Sequence, residues 1–249
     1  IIEDGQTIDT DIIRDIAADN IGALIWSKSM EMNDMEKPDF LKNAMRNLSI
    51  PVITMEKYGF DCPGVDILFD YEKGGYMATR HLIECGHRRI GCVAGKQSFH
   101  VTMQRLNGYK KALEESGISY DPDLVYFGDY TMESGYEAFS YILGQKVTAI
   151  FSMNDEMAFG IYRAARLYGV SIPEDISIIG FDNVPFADVM QVPLTTIGVP
   201  VIEMGKKLGE KVVELIDNKE KLKEREEILY TPRLLVRGST KSIPPVTVI

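Results

Sequence analysis

The sequence is short of the groups that metal centres, disulfide scaffolds and hydrolytic sites need. Its three cysteines, Cys62, Cys85 and Cys92, are an odd set without CxxC spacing. Neither a stapled scaffold nor a zinc site is expected, and a reducing compartment, the cytoplasm, fits best. The three histidines, His81, His87 and His100, lie on separate stretches without HExxH spacing, and no GxSxG or P-loop phrase occurs. Catalysis, a metal and a cofactor are therefore not expected. His87, just ahead of an apolar run, reads as structural. Positive charge is also scarce. Lys and Arg number 27 against 37 Asp and Glu, a formal net charge of -10, which argues against direct grip on phosphate backbones. No window approaches an uncharged 18-residue apolar run, and the opening IIEDGQTIDTDII has no basic stretch followed by an apolar one, so neither export nor membrane insertion is expected.

What is present is an α/β cadence. With 249 residues and 45% hydrophobic content the chain can bury a substantial core. Short β-branched runs alternate with amphipathic stretches, as in parallel βαβ units. The expected strands are 21–26, 51–55, 65–69, 89–94, 124–127, 148–153, 176–181, 195–199 and 228–236. So many strands predict two doubly wound lobes rather than one sheet. Gly86, Gly117 and Gly169 each follow an apolar-periodic stretch and read as left-handed helix stops. Pro38 and Pro200 read as first-turn prolines. The charge-dense run DNKEKLKEREE, 217–227, reads as a solvated helix end and loop.

In doubly wound folds ligands sit outside the carboxyl ends of strands, so polar residues just after apolar runs are the candidates. These are Glu56, Asp70, Asn154, Asp155, Asp182 and Asn183. Asp and Asn are also preferred helix N-caps. Capping is the expectation for Asp155, whereas Asp182 is expected to be functional, because Asn183 is available to cap the short helix in VPFADVM. Arg105 has Val101 and Tyr109 at the i±4 positions, so its own helix supplies no acid. Its planar fork suits a hydroxyl- or carboxylate-rich ligand. Tyr130 follows another strand and offers a ring to a ligand's apolar face.

The phrases GGYMATRHLIECGHRRIGCVAG, RLNGYKKALEESGI, TAIFSMNDEMAFGIYRAARLYGVSIPEDISIIGFDN and PLTTIGVP resemble, in order and spacing, the effector-binding core of LacI/GalR-type transcription regulators, from about residue 10 to 240. Within that family, FDYEKGGYMA and QRLNGY resemble an arabinose-responsive regulator with a GntR-type DNA-binding domain. The resemblance implies two lobes of the periplasmic-binding-protein-like type I fold joined by three crossovers, with a sugar-like effector held between them. The lobes would be residues 1–70 plus 198–228 and 71–197 plus 229–249. It places Arg105, Asp182, Asn154 and Tyr130 on ligand-contacting positions and Phe99, Asp70, Glu56 and Val201 on pocket-lining ones. It also implies a homodimer whose operator DNA is bound by a separate domain not in this chain.

Against the family pattern, the opening corresponds to the end of the second family strand, so the first strand and its helix are expected to be missing. The tail SIPPVTVI runs past the usual end. The alternative reading with the same fold and ligand class is a solute-binding protein of a sugar transport system.

Overall fold

The computed structural model describes residues 21–27, 45, 46, 48, 50–60, 62–218 and 225–244. Pro38 and the final VTVI lie outside these residues. The chain divides into two compact units, Ile1–Phe69 with Pro200–Tyr230 and Asp70–Val199 with Thr231–Ile249.

The first unit carries a four-stranded parallel sheet in the order β1 (Leu24–Trp26), β2 (Val52–Thr54), β3 (Gly64–Phe69) and β9 (Arg225–Tyr230). Trp26, Met45, Leu48, Val52 and Phe60 form its apolar cluster, in which the Trp26 and Phe60 rings meet edge to face. Helix α5 (Val201–Asp217) belongs to this unit and buries only Met204 and Leu215. Pro200 stands at its N-cap rather than inside its first turn.

Two expectations about the last third of the chain are corrected here. The run 228–236 is not one strand. β9 ends at Tyr230, and a separate strand β10 (Arg233–Leu235) pairs antiparallel in the other unit's sheet. Pro232, between them, has no N–H to give a ladder. Nor is the charged run all solvated loop, because its end starts β9. There Arg225 Nε donates to Asp66 Oδ2 at 2.9 Å, and its Nη1 donates to the carbonyls of Val52 and Cys62. Asp66 is buried on β3, and it also accepts from the Thr54 hydroxyl. A carboxylate inside a sheet needs such partners, and this one takes its cation from a residue 159 positions away.

The second unit holds a six-stranded sheet in the order β10, β8 (Thr195–Gly198), β7 (Ser177–Asp182), β6 (Ala149–Ser152), β4 (Ile90–Ala94) and β5 (Val125–Phe127). All pairings except β10 with β8 are parallel. The near-continuous burial of β4, β6 and β7 is that of strands covered on both faces.

Helices α1 (Tyr71–Glu84) and α2 (His100–Glu115) pack together, as do α3 (Met132–Gly144) and α4 (Asp155–Tyr168). Both pairs close through glycine. A Cβ on Gly75 would collide with the backbone carbonyl of Arg105, and one on Gly108 with that of Glu72. In the second pair Gly135 meets Met157 and Gly160 meets Met132 in the same way. Small residues at the crossings let the backbones touch and fix the height of each helix on the sheet.

Helices α1, α2 and α4 end as the glycines predict. The amide of His87 returns to the Leu82 carbonyl and that of Gly86 to Ile83. Ile118 and Gly117 repeat the pattern on Leu113 and Glu114, and Val170 and Gly169 on Ala165 and Arg166. All three glycines have positive φ, as this paired-bond helix stop requires.

His87 is buried, as a structural residue. Its ring nitrogens meet the Thr148 and Ser177 hydroxyls and the Lys241 carbonyl. Ser239 ties the final segment down by accepting from the Thr195 amide and donating to the Ile178 carbonyl.

Candidate functional site

In the second unit's sheet the chain steps from β4 outward to β5 and then back across to β6. In doubly wound sheets ligands bind at such a reversal, outside the carboxyl ends of the strands, here those of β4 and β6. The segments leaving β4, β5, β6 and β7 at that end carry most of the residues singled out above.

Arg105, on the second turn of α2, is 6% exposed. The glycine crossing of α1 and α2 sets its backbone at this depth. Its Nη1 donates to the Met153 carbonyl at the end of β6, 2.5 Å away. Its Nη2 lies 3.6 Å from Asp182 Oδ1. Nε is buried and finds no hydrogen-bond partner among the described residues. Three rings surround the guanidinium, with centroids 4.1 Å (Phe181), 4.9 Å (Tyr71) and 5.5 Å (Tyr130) away. Such contacts stabilise a cation withdrawn from water and hold its plane.

Asp182 ends β7, with a third of its side chain exposed. Burial raises its carboxyl to about 7. The Arg105 guanidinium pulls against that rise and the Asp155 carboxylate adds to it. Asp182 and Asn183 are consecutive non-glycine residues at φ 113° and 60°, a conformation that L-residues adopt only when their surroundings impose it. Asn183 does not cap the following 3-10 turn, Pro185–Asp188, which has no side-chain cap. Its Oδ1 instead accepts from Arg237 Nη2 at 2.7 Å.

The capping expectation for Asp155 is likewise corrected. Asn154 is the N-cap of α4, accepting from the Met157 amide at 2.9 Å. Asp155 is the first helical residue and fully buried. Its carboxylate accepts from Thr196 Oγ1 at 2.6 Å and from the Val184 amide at 2.9 Å. Burial raises it to about 6, opposed by these bonds and by the amides of Asn183 and Phe181. Adjacent Asn and Asp at a helix start are equally able caps, so the sequence alone does not decide which one turns inward.

Asn154 also donates from Nδ2 to the Tyr130 carbonyl, at 2.9 Å. It thereby joins the end of β6 to the segment after β5 and steadies Tyr130, whose φ is 72°. The Tyr130 ring lies against Gly95, where no Cβ would fit. Its hydroxyl meets Thr102 Oγ1 at 2.7 Å, and Phe99 stacks on it at 6.3 Å with 22° between planes. Asp70 is the N-cap of α1, accepting from the Lys73 amide at 2.9 Å. Glu56, after β2, and Val201, the first residue of α5, belong to the other unit. The cluster described here is built within the second unit alone.

The structure thus brings together Arg105, Asp182, Asn154, Tyr130 and Phe99, and adds Tyr71, Phe181 and Thr102, which the sequence did not single out. Phe181 sits inside an apolar strand and reads as ordinary core. Tyr71 carried one usable signal, an aromatic residue directly after a capping aspartate. Chemically the cluster presents one cationic donor edge, one carboxylate and several ring faces, a combination suited to hydroxyls on a partly apolar frame. Among the described residues no group of three or more His, Cys, Asp or Glu could hold a metal ion. Nor is any described helix long and apolar enough to cross a membrane.

Comparison with known proteins gives concordant matches. Residues 79–240 match the family model described as "Periplasmic binding protein-like domain". The chain is 36% identical over 208 residues to the HTH-type transcriptional repressor PurR of Photobacterium profundum, covering 82% of this chain and 61% of that protein. It therefore spans about three fifths of the length of that relative. A LacI family transcriptional regulator from Enterococcus faecium with bound ribose superposes with a TM-score of 0.78 at 28% identity, over 94% of this chain and 84% of the other. The transcriptional regulator CelR in complex with cellobiose gives 0.78 at 29%, over 92% and 69%.

Proposed function

Since this chain belongs to the periplasmic binding protein-like domain family, as the effector-binding core of a LacI/GalR-type regulator, we propose that it binds a small sugar or sugar derivative at the Arg105–Asp182 cluster and thereby controls operator binding by a separate domain. The observation that carries this reading is the buried Arg105 Nε, which has no hydrogen-bond partner among the described residues, beside a carboxylate whose burial already disfavours its charged form. An unsatisfied buried donor costs about 1–3 kcal/mol. A ligand hydroxyl that accepts from Nε and donates to Asp182 removes that cost and is held in a fixed direction. Tyr130 and Phe99 supply a ring wall for the ligand's C–H face, and Asn154 acts by positioning Tyr130. Asp70, in the same unit, is proposed as peripheral lining.

The similar regulators with bound ribose and cellobiose support a sugar-like ligand for this chain. The relatives named above are repressors and regulators, which supports regulated binding rather than transport; a cytoplasmic homodimer without turnover is part of the same proposal. The ligand regulates only through unequal affinity for two conformations of the protein.

The test is thermal unfolding against pentoses, hexoses, their phosphates, disaccharides and purines. A ligand at a hundred times its Kd adds about 2.7 kcal/mol of stability. The expected result is one sugar that stabilises the parent but neither Arg105→Ala nor Asp182→Ala. A shift that survives in both folded variants rejects this site, and a shift given only by purines rejects the sugar class.

A further inference from the structure

We infer that Asp155 is a positioning residue, the group that holds Asp182 in its ligand-facing orientation by gripping the backbone on either side of it. The inference rests on the reading of Asp182 as a ligand-contacting residue. Asp182 and Asn183 both occupy the left-handed region. Two such residues in succession relax toward ordinary strand geometry unless something outside the turn prevents it. The Asp155 carboxylate lies under this turn. It accepts from the Val184 amide at 2.9 Å, on the C-terminal side of Asp182, and its other oxygen lies against Gly180 on the N-terminal side. On its other side the Thr196 hydroxyl of β8 anchors it to the neighbouring strand.

Gly180 completes the seat. A Cβ there would run into Asp155 Oδ1, so the carboxylate rests directly on the β7 backbone. Three further bonds hold the turn. Arg237 joins the Asn183 side chain to the Leu194 carbonyl, at 2.7 Å each, and the Val199 amide reaches the Asp182 carbonyl at 3.2 Å. Of these groups only Asp155 meets the β7 backbone before Asp182, at Gly180, as well as an amide after it, that of Val184. A carboxylate is suited to this because it offers four lone-pair sites and no donor. The isosteric amide offers one oxygen, and turns an NH2 toward backbone N–H groups.

Asp155 makes no claim on the ligand itself, so its effect should be local and transmitted through the turn. The test is amide hydrogen exchange by NMR on Asp155→Asn. The expected result is exchange at Asn183, Val184 and Val199 at least about tenfold faster than in the parent, with Ile178 and Ile179 of β7 within about twofold. Equal acceleration throughout β7 would reduce Asp155 to a general core residue, and no change at the turn would overturn its positioning role directly. If Asp155→Asn does not fold, Thr196→Val removes one anchor while keeping the charge. About threefold faster exchange at the same three amides is then expected, and unchanged exchange overturns the inference.

Thermal shifts with D-ribose and with cellobiose on the same samples separate the two readings. A shift in the parent that Asp182→Ala leaves intact rejects the ligand role of Asp182, whatever the exchange shows. A shift lost in Asp182→Ala but kept in a folded, turn-loosened Asp155→Asn rejects the link between positioning and binding.

Discussion

At the scale of single residues, chemistry is concentrated where side chains are denied their usual surroundings. Arg105 has three rings around its guanidinium and a buried donor with no partner among the described residues. Arg105→Lys is therefore expected to lose the ligand-induced thermal shift as fully as Arg105→Ala, since a point-like ammonium replaces neither the ring contacts nor the fork. Burial holds the Asp182 and Asp155 carboxyls at about 7 and about 6, both above the ordinary carboxyl value of 3.8. A raised carboxyl contributes stability that is complete below the unfolded value and is lost as pH rises through the folded one. Between about pH 4 and 7 the parent should thus lose stability relative to Asp182→Asn, in urea melts at each pH. Ligand hydroxyls that donate to Asp182 favour its ionised form, so affinity should rise over the same interval, measurable by calorimetric titration. Asp182 and Tyr130 were legible as residues following apolar runs, and Arg105 as a helix arginine with no acid at the i±4 positions. Phe181 was not, because a ring that holds an arginine and a ring that fills a core look identical within a strand.

Among the elements, helix ends and strand positions were read from the chain with little error, because glycine stops and β-branched runs are local signals. What the sequence could not give was any partnership across distance. The pairing of Asp66 with Arg225 joins two strands 159 residues apart and turns what reads as a solvated charge run into the start of β9. Arg225→Ala is expected to cost roughly 3 kcal/mol or more by leaving Asp66 buried without its cation, read as a shift in the denaturation midpoint. The glycine crossings make a second prediction. Gly108→Ala should cost about 1–3 kcal/mol as α1 and α2 are forced apart. Because Gly75 touches Arg105 itself, Gly75→Ala should also weaken ligand binding. Gly169→Ala meets open space and has only its φ of 70° to accommodate, a penalty of about 1–2 kcal/mol with no effect on the ligand.

For the molecule as a whole, the charge of -10 predicts that this chain alone does not retain duplex DNA in a gel-shift experiment at any ordinary salt concentration. Retention that falls steeply with salt would contradict that. The two-unit architecture followed from the number of strands, whereas the division of the last expected strand between two sheets followed only from the coordinates. That division gives the second unit a discontinuous composition, Asp70–Val199 completed by Thr231–Ile249. During synthesis the site residues from Arg105 to Asp182 therefore leave the ribosome well before the segment that pairs with β8, supplies Arg237 to Asn183 and seats Ser239 between Thr195 and Ile178. Domains generally fold as units. The proposed ligand site is thus among the last parts of this protein to mature, and a nascent chain halted before residue 231 should be unable to respond to the effector.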